Sequence, residues 1–164
     1  MTETTSGTAK VTLPADNQIL ITREFNAPRH LVWRAYTSPE LVKRWWAGEK
    51  GKVTSAEIDL RVGGQWRYVM EANGGFEVAF HGEYKTIEAP ERLVNTEAFE
   101  GIPDPDGHAG LVTMTLTEKD GRTSMEMLCE YVDQTDRDAV IESGMEGGMQ
   151  ESMDQLERVA ASLV

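Results

Sequence analysis

Three histidines, one cysteine and 28 carboxylates are the side chains through which this sequence could do chemistry, and their spacing decides which chemistry is open to them. His30, His81 and His108 stand far apart, so no two share the i, i+4 spacing that lets one helix face hold a metal. Cys129 alone can neither close a disulfide within the chain nor build a thiolate metal site. The fragment PDPDGH, residues 103–108, has the Asp-x-Asp-Gly opening of a calcium loop but none of its later ligands, and reads as a solvated turn. No GxSxG elbow, Walker loop or dinucleotide fingerprint occurs, and Gly63-Gly64 falls between two strand patterns rather than between strand and helix. No metal and no cofactor is expected on these grounds.

General acid–base catalysis needs a carboxylate or histidine facing an enclosed site, so the elements that aim these groups come next. From Gln18 the text QILITREF alternates and reads as a first strand. Pro28 suits a helix start, with Leu31, Val32 and Ala35 at helical spacing. Ser38 and Pro39 then open a second short helix that carries Leu41, Val42, Trp45 and Trp46 as far as Gly48. Between residues 52 and 131 the period becomes two, with breaks rich in Gly, Pro and Asp. Six strands fit there, at 53–61, 65–72, 76–87, 92–99, 111–118 and 123–132, joined by hairpin-sized turns into an antiparallel meander. The final segment, Thr135 to Leu163, has Thr135 as its cap and Ile141, Met145, Met149, Leu156, Val159 and Leu163 along one side. It reads as a single helix of roughly 40 Å at about 1.5 Å per residue. Gly144, Gly147 and Gly148 within it each cost about 1 kcal/mol relative to alanine, which calls for close packing, a kink or room for a guest.

Alternation divides each strand into an apolar and a polar row. Ile58 and Leu60 oppose Glu57 and Asp59; Trp66, Tyr68 and Met70 oppose Arg67 and Glu71; Phe76, Val78, Phe80 and Tyr84 oppose Glu77, His81 and Glu83. Val112, Met114 and Leu116 oppose threonines, and Met125, Met127, Cys129 and Tyr131 oppose Ser124, Glu126 and Glu130. The polar rows take nearly every acid outward, which argues against hydrolysis. Two cases stay open. On LVNTEAF either Leu93, Asn95, Glu97 and Phe99 or Val94, Thr96 and Ala98 face inward, and Arg23 shares a row with Ile21 and Phe25. Glu97 is the one candidate acid catalyst if it turns inward, where burial would raise its pKa.

Composition narrows the setting. With 164 residues, 40% of them hydrophobic, the chain suits one domain with a sizeable core, expected over residues 17–164 after a flexible, Thr- and Ser-rich tail at 1–16. No apolar run is long enough to span a bilayer, and the first residues lack the apolar stretch of a secretory signal, so a cytoplasmic protein without membrane insertion is expected. A net charge of −12 would repel nucleic acid.

The segments TREFNAPRHLVWRAYTSPELVKRWWAG, DLRVGGQWRY, HGEYKTIEAPERLV, TLTEKDGRTSMEM and GMEGGMQESMDQLERVAA, taken in order, resemble the successive signatures of the Hsp90-ATPase-activator-like family. The resemblance covers about residues 18 to 163 and implies the START and Bet v 1-like helix-grip superfamily. Its α+β fold is a seven-stranded curved antiparallel sheet with two short N-terminal helices and one long C-terminal helix enclosing a cavity. The family transfers no catalytic residue set. Related sheets serve as lipid carriers, cyclases and Hsp90 co-chaperone domains.

The expected function is binding of an apolar or aromatic small molecule by Trp66, Tyr68, Met70, Phe80, Met114, Met127, Tyr131, Met145 and Met149, a methionine- and aromatic-rich set that adapts to an irregular guest. The bland alternative is that the same residues simply fill a solid core. Two other readings are a chaperone-linked module meeting an Hsp90-type partner through its acidic outer face, and a cyclase-like or hydrolytic enzyme using Glu97 or a cavity tyrosine.

Overall fold

Side-chain alternation yields eight strands and helical spacing yields four α-helices in a computed structural model that describes residues 9–164. In chain order they are β1 (Lys10–Thr12), β2 (Gln18–Phe25), α1 (Arg29–Thr37), α2 (Pro39–Val42), β3 (Gly51–Ile58), β4 (Gln65–Ala72), β5 (Glu77–Glu88), β6 (Arg92–Phe99), β7 (Gly110–Lys119), β8 (Arg122–Glu130), α3 (Gln134–Glu142) and α4 (Met145–Ser162). One antiparallel sheet has the order β1-β2-β8-β7-β6-β5-β4-β3. The strands from β3 to β8 form a meander. The chain between β2 and β3 passes through α1 and α2, so β2 pairs with β8 instead, from Gln18 opposite Glu130 to Phe25 opposite Thr123. The tightest hairpin is set by Asp120 and Gly121, whose φ values of 53° and 76° are the paired positive angles that a two-residue hairpin turn requires.

The sheet has eight strands where seven were expected. The additional one, β1, lies in the segment read from composition as a tail; at three residues it is too short to show a period. The part of that segment before Ala9 lies outside the described residues. The C-terminal helix is not continuous. Gly144 adopts φ 82°, a left-handed conformation that ends α3 and sets α4 on a new course. The cap of α3 is Asp133, whose carboxylate accepts the Asp136 N–H at 2.9 Å, and not Thr135. α2 is a single turn, so Trp45 and Trp46 sit in the irregular chain after it. Leu60 and Phe76, assigned to inward rows, fall beyond the ends of β3 and β5 and are 39% and 60% exposed.

α4 buries Met153, Leu156, Val159 and Ala160 in the core, where it also packs against α1; each large side chain removed from water contributes about 1.5–3 kcal/mol. Polar contacts hold its flanks. Gln150 exchanges two hydrogen bonds with the backbone of Ala9, at 3.0 and 2.8 Å, and Ser152 Oγ donates to the Trp46 carbonyl at 2.7 Å. Arg23, which is 3% exposed on β2, reaches Asp154 at 2.6 Å and Glu157 at 2.5 Å, with its guanidinium 5.1 Å from the Phe25 ring centroid. Arg23 thus belongs to the inward row, paired rather than isolated. Among the described residues no helix is long and apolar enough to cross a membrane.

Candidate ligand cavity

A cavity of about 590 Å³ lies between the sheet and the two C-terminal helices. β4 contributes Trp66 and Tyr68, β5 contributes Phe80 and Tyr84, β8 contributes Met127 and Cys129, and α4 covers them with Met145, Met149, Met153 and Leu156. Helices laid across a twisted sheet touch it fully only along part of their length. The rest of the space is bounded by large side chains that meet each other rather than fill it. Trp66 and Tyr68 lie 4.7 Å apart between ring centroids, and Trp46 meets Tyr68 at 5.4 Å and Phe80 at 5.6 Å, both edge to face.

Of the residues expected to meet a guest, Trp66, Tyr68, Phe80, Met127, Tyr131, Met145 and Met149 line this cavity. Met70 and Met114 do not. Met114 is fully buried between its register partners Leu93 and Met127, and Met70 lies past Tyr68 along β4, half-buried between Val53 and Val78. The lining also includes Tyr36, Trp46, Tyr84 and Glu97, which that set left out. Trp46, expected on the apolar face of the second helix, lies past the end of that helix at Val42, and the irregular chain there turns it into the cavity.

Glu97 faces the cavity by alternation along β6, in one row with Leu93, Asn95 and Phe99, and the ladder between β5 and β6 lacks its regular pairing beside it. Pairing runs through Phe80 with Phe99 and His81 with Ala98, then resumes only at Tyr84 with Asn95. In the gap the Glu83 N–H donates to Thr96 Oγ1 at 2.9 Å. The Thr96 carbonyl accepts from Trp66 Nε1 at 3.2 Å and from Asn95 Nδ2 at 2.9 Å. Gly82 makes this arrangement possible: a methyl group at that position would collide with both the Thr96 carbonyl and the indole nitrogen.

The cavity disfavours the charged forms of its titratable groups, including Glu97, whose side chain is half-buried at its wall. Burial pushes the Glu97 carboxyl up to about 7 and the Cys129 thiol up to about 12, with the Glu97 charge adding to the second effect. The Cys129 thiol is therefore a poor nucleophile at neutral pH. Tyr36, Tyr68, Tyr84 and Tyr131 are likewise raised, each chiefly by burial. The other face of the sheet is polar. There Arg67 grips Glu100 through two hydrogen bonds of 2.9 and 2.8 Å, while His81 joins Glu100 at 2.7 Å to Asp106 at 2.6 Å. Arg67, followed by His81, holds the Glu100 carboxyl down to about 2. His81 itself is raised by Asp106 and Glu100.

The sequence matches a family model described as activator of Hsp90 ATPase homolog 1-like protein over residues 26–161. No curated protein matches it. Among solved structures, a protein from Rhodobacter sphaeroides superposes with a TM-score of 0.85 at 26% identity, covering 94% of this chain and 99% of its own. One from Arthrobacter aurescens gives 0.82 at 26% identity over 93% and 91% of the two chains. One from Mycobacterium smegmatis gives 0.81 at 25% over 92% and 94%.

Proposed function

The chain belongs to the activator of Hsp90 ATPase homolog 1-like family, and from that premise we propose that it binds an apolar or aromatic small molecule between its sheet and its C-terminal helices. The observation that carries this reading is the cavity of about 590 Å³, walled by aromatic rings and by methionines of α4. That volume lies within the range of about 300–1,000 Å³ usual for small-molecule sites. Methionine side chains re-pack at little cost around guests of different outline, and the tyrosine hydroxyls add a few polar contacts to fix orientation. The same reading takes the protein to work in the cytoplasm.

A guest that binds only the folded state raises stability by about 2.7 kcal/mol at one hundred times its dissociation constant. Native mass spectrometry of gently purified protein, followed by thermal melting with any molecule found, tests the proposal. A co-purifying apolar compound that raises the melting temperature supports it; a protein whose melting temperature no apolar or aromatic compound moves refutes it.

The position of Glu97 favours a second reading, in which the guest is also transformed and Glu97 is the acid or base. A pKa near 7 suits such work. Among the described residues, however, no hydrogen bond orients its carboxyl, and proton transfer needs a fixed geometry. Binding is therefore the reading we adopt.

A further inference from the structure

Glu97 is out of keeping with the apolar space it lines. Its carboxyl makes no hydrogen bond and no ion pair among the described residues, and burial alone accounts for its raised pKa. Leaving a carboxyl without a partner in an apolar wall is costly, and a leucine of similar size would avoid that cost. Among the described residues no lysine or arginine lines the cavity to balance it. The titratable groups around it are Tyr36 on α1, Tyr68 on β4, Tyr84 on β5, Cys129 on β8 and Tyr131, all held neutral, so none supplies a positive charge. At the rim, His108 is committed to Asp136 at 2.9 Å. Trp46, Tyr68 and Phe80 cluster in the same cavity, and the faces of such rings attract cations. The net charge of −12 draws cations toward the protein and repels anions.

We propose that the guest carries a basic nitrogen: an apolar or aromatic amine that enters as its ammonium form and pairs with Glu97, with its hydrocarbon part against the methionines and rings. This rests on the reading of the cavity as a site for an apolar guest and adds to it a charge and a fixed point. Binding of the ammonium requires the Glu97 carboxylate. Affinity therefore rises as pH increases from 5.5 to 8, and falls again only where the amine itself loses its proton, near pH 10 for an alkylamine.

Three dansyl probes of similar length separate the possibilities: dansylcadaverine, which ends in an ammonium; the N-pentyl dansyl amide, its neutral counterpart; and dansyl-6-aminohexanoate, its anionic counterpart. Dissociation constants are read from dansyl emission at pH 5.5 and 8 for the wild type and for Glu97→Gln, with melting curves to check that the variant is folded. The expected result is that the ammonium probe binds the wild type about tenfold more tightly than the neutral probe at pH 8, as charge pairing in a water-poor site gives. That preference shrinks at pH 5.5, and Glu97→Gln brings the ammonium and neutral probes to within about twofold of each other. The anionic probe is the weakest. Equal binding of the ammonium and neutral probes to the wild type at both pH values overturns the amine proposal while leaving the apolar cavity intact; this comparison needs no variant. A preference that survives in Glu97→Gln overturns it too. Binding of none of the three overturns the apolar-guest reading as well.

Discussion

The indole Nε1–H of Trp66 on β4 donates to the main-chain carbonyl of Thr96 on β6, 3.2 Å away, passing over the intervening strand β5 at Gly82. One side chain thus bridges a gap in the neighbouring ladder, and the residue after Thr96 is the carboxylate that faces the cavity. The bond and the glycine that admits it fix the backbone next to Glu97, so both should be sensitive to substitution.

Trp66→Phe removes the donor but leaves Asn95 bonded to the same carbonyl, so the expected loss of stability is about 1 kcal/mol. Gly82→Ala forces a methyl group into the Thr96 carbonyl and the indole nitrogen, and its expected cost is larger, about 2–3 kcal/mol. Urea denaturation of the two variants checks the order. Equal losses would mean that the crossing is not tight.

Glu97 sets a pH dependence whose sign is unusual for a carboxylate. Its pKa in the folded protein, about 7, lies above its unfolded value of about 4.5, so the native state binds the proton more tightly. This group therefore costs little below the unfolded value, and its destabilising effect grows as pH rises from about 4.5 to about 7 and levels off above that. Glu97→Gln should be more stable than the wild type at pH 8, by on the order of 2–3 kcal/mol, and the difference should shrink toward zero below about pH 4.5. Denaturation midpoints for both proteins across pH 3.5–8.5 measure it. A constant difference would show that Glu97 does not titrate in this window.

Arg23 is buried on β2 and its two carboxylate partners stand on α4, so the pair fastens helix to sheet. Replacing both partners, Asp154→Asn with Glu157→Gln, leaves a buried guanidinium without counter-charge and should cost about 3 kcal/mol or more. Arg23→Met should cost less, because it removes the buried charge itself. The two melting temperatures, compared at one pH, give the test.

The glycines around the helix break should respond with opposite signs. Gly144 holds φ 82°, so Gly144→Ala should destabilise by about 1 kcal/mol. Gly147 and Gly148 sit in the first turn of α4, where the methyl group of an alanine would meet nothing within 4 Å, so alanine at either should stabilise by about 0.5–1 kcal/mol. Thermal melting distinguishes the two cases.

Much of this architecture was legible because one face of each strand is apolar. Trp66, Tyr68, Phe80 and Met127 could be assigned to the cavity side from alternation alone. β6 was not legible, because Val94 and Ala98 are buried along with Leu93 and Asn95; with both faces covered, the contrast that fixes register is lost, and the direction of Glu97 with it. A glycine within a strand, Gly82, was the available signal of a close approach there. The helix break escaped for a related reason. The apolar row continues at helical spacing through Gly144; the glycines pointed to a kink, close packing or room for a guest, and the backbone angle decides among them.

The central claim, that the space beneath α3 and α4 receives an apolar guest, is tested most directly with methyl-labelled methionine. Met127, Met145, Met149 and Met153 line the cavity, whereas Met70, Met114 and Met125 do not. When the neutral N-pentyl dansyl amide is titrated into protein carrying 13C-methyl methionine, the first four resonances should shift together and saturate, while the other three stay close to their starting positions. Resonances of the lining group that do not move at saturating probe, or shifts that fall on Met70, Met114 and Met125 instead, would contradict the account.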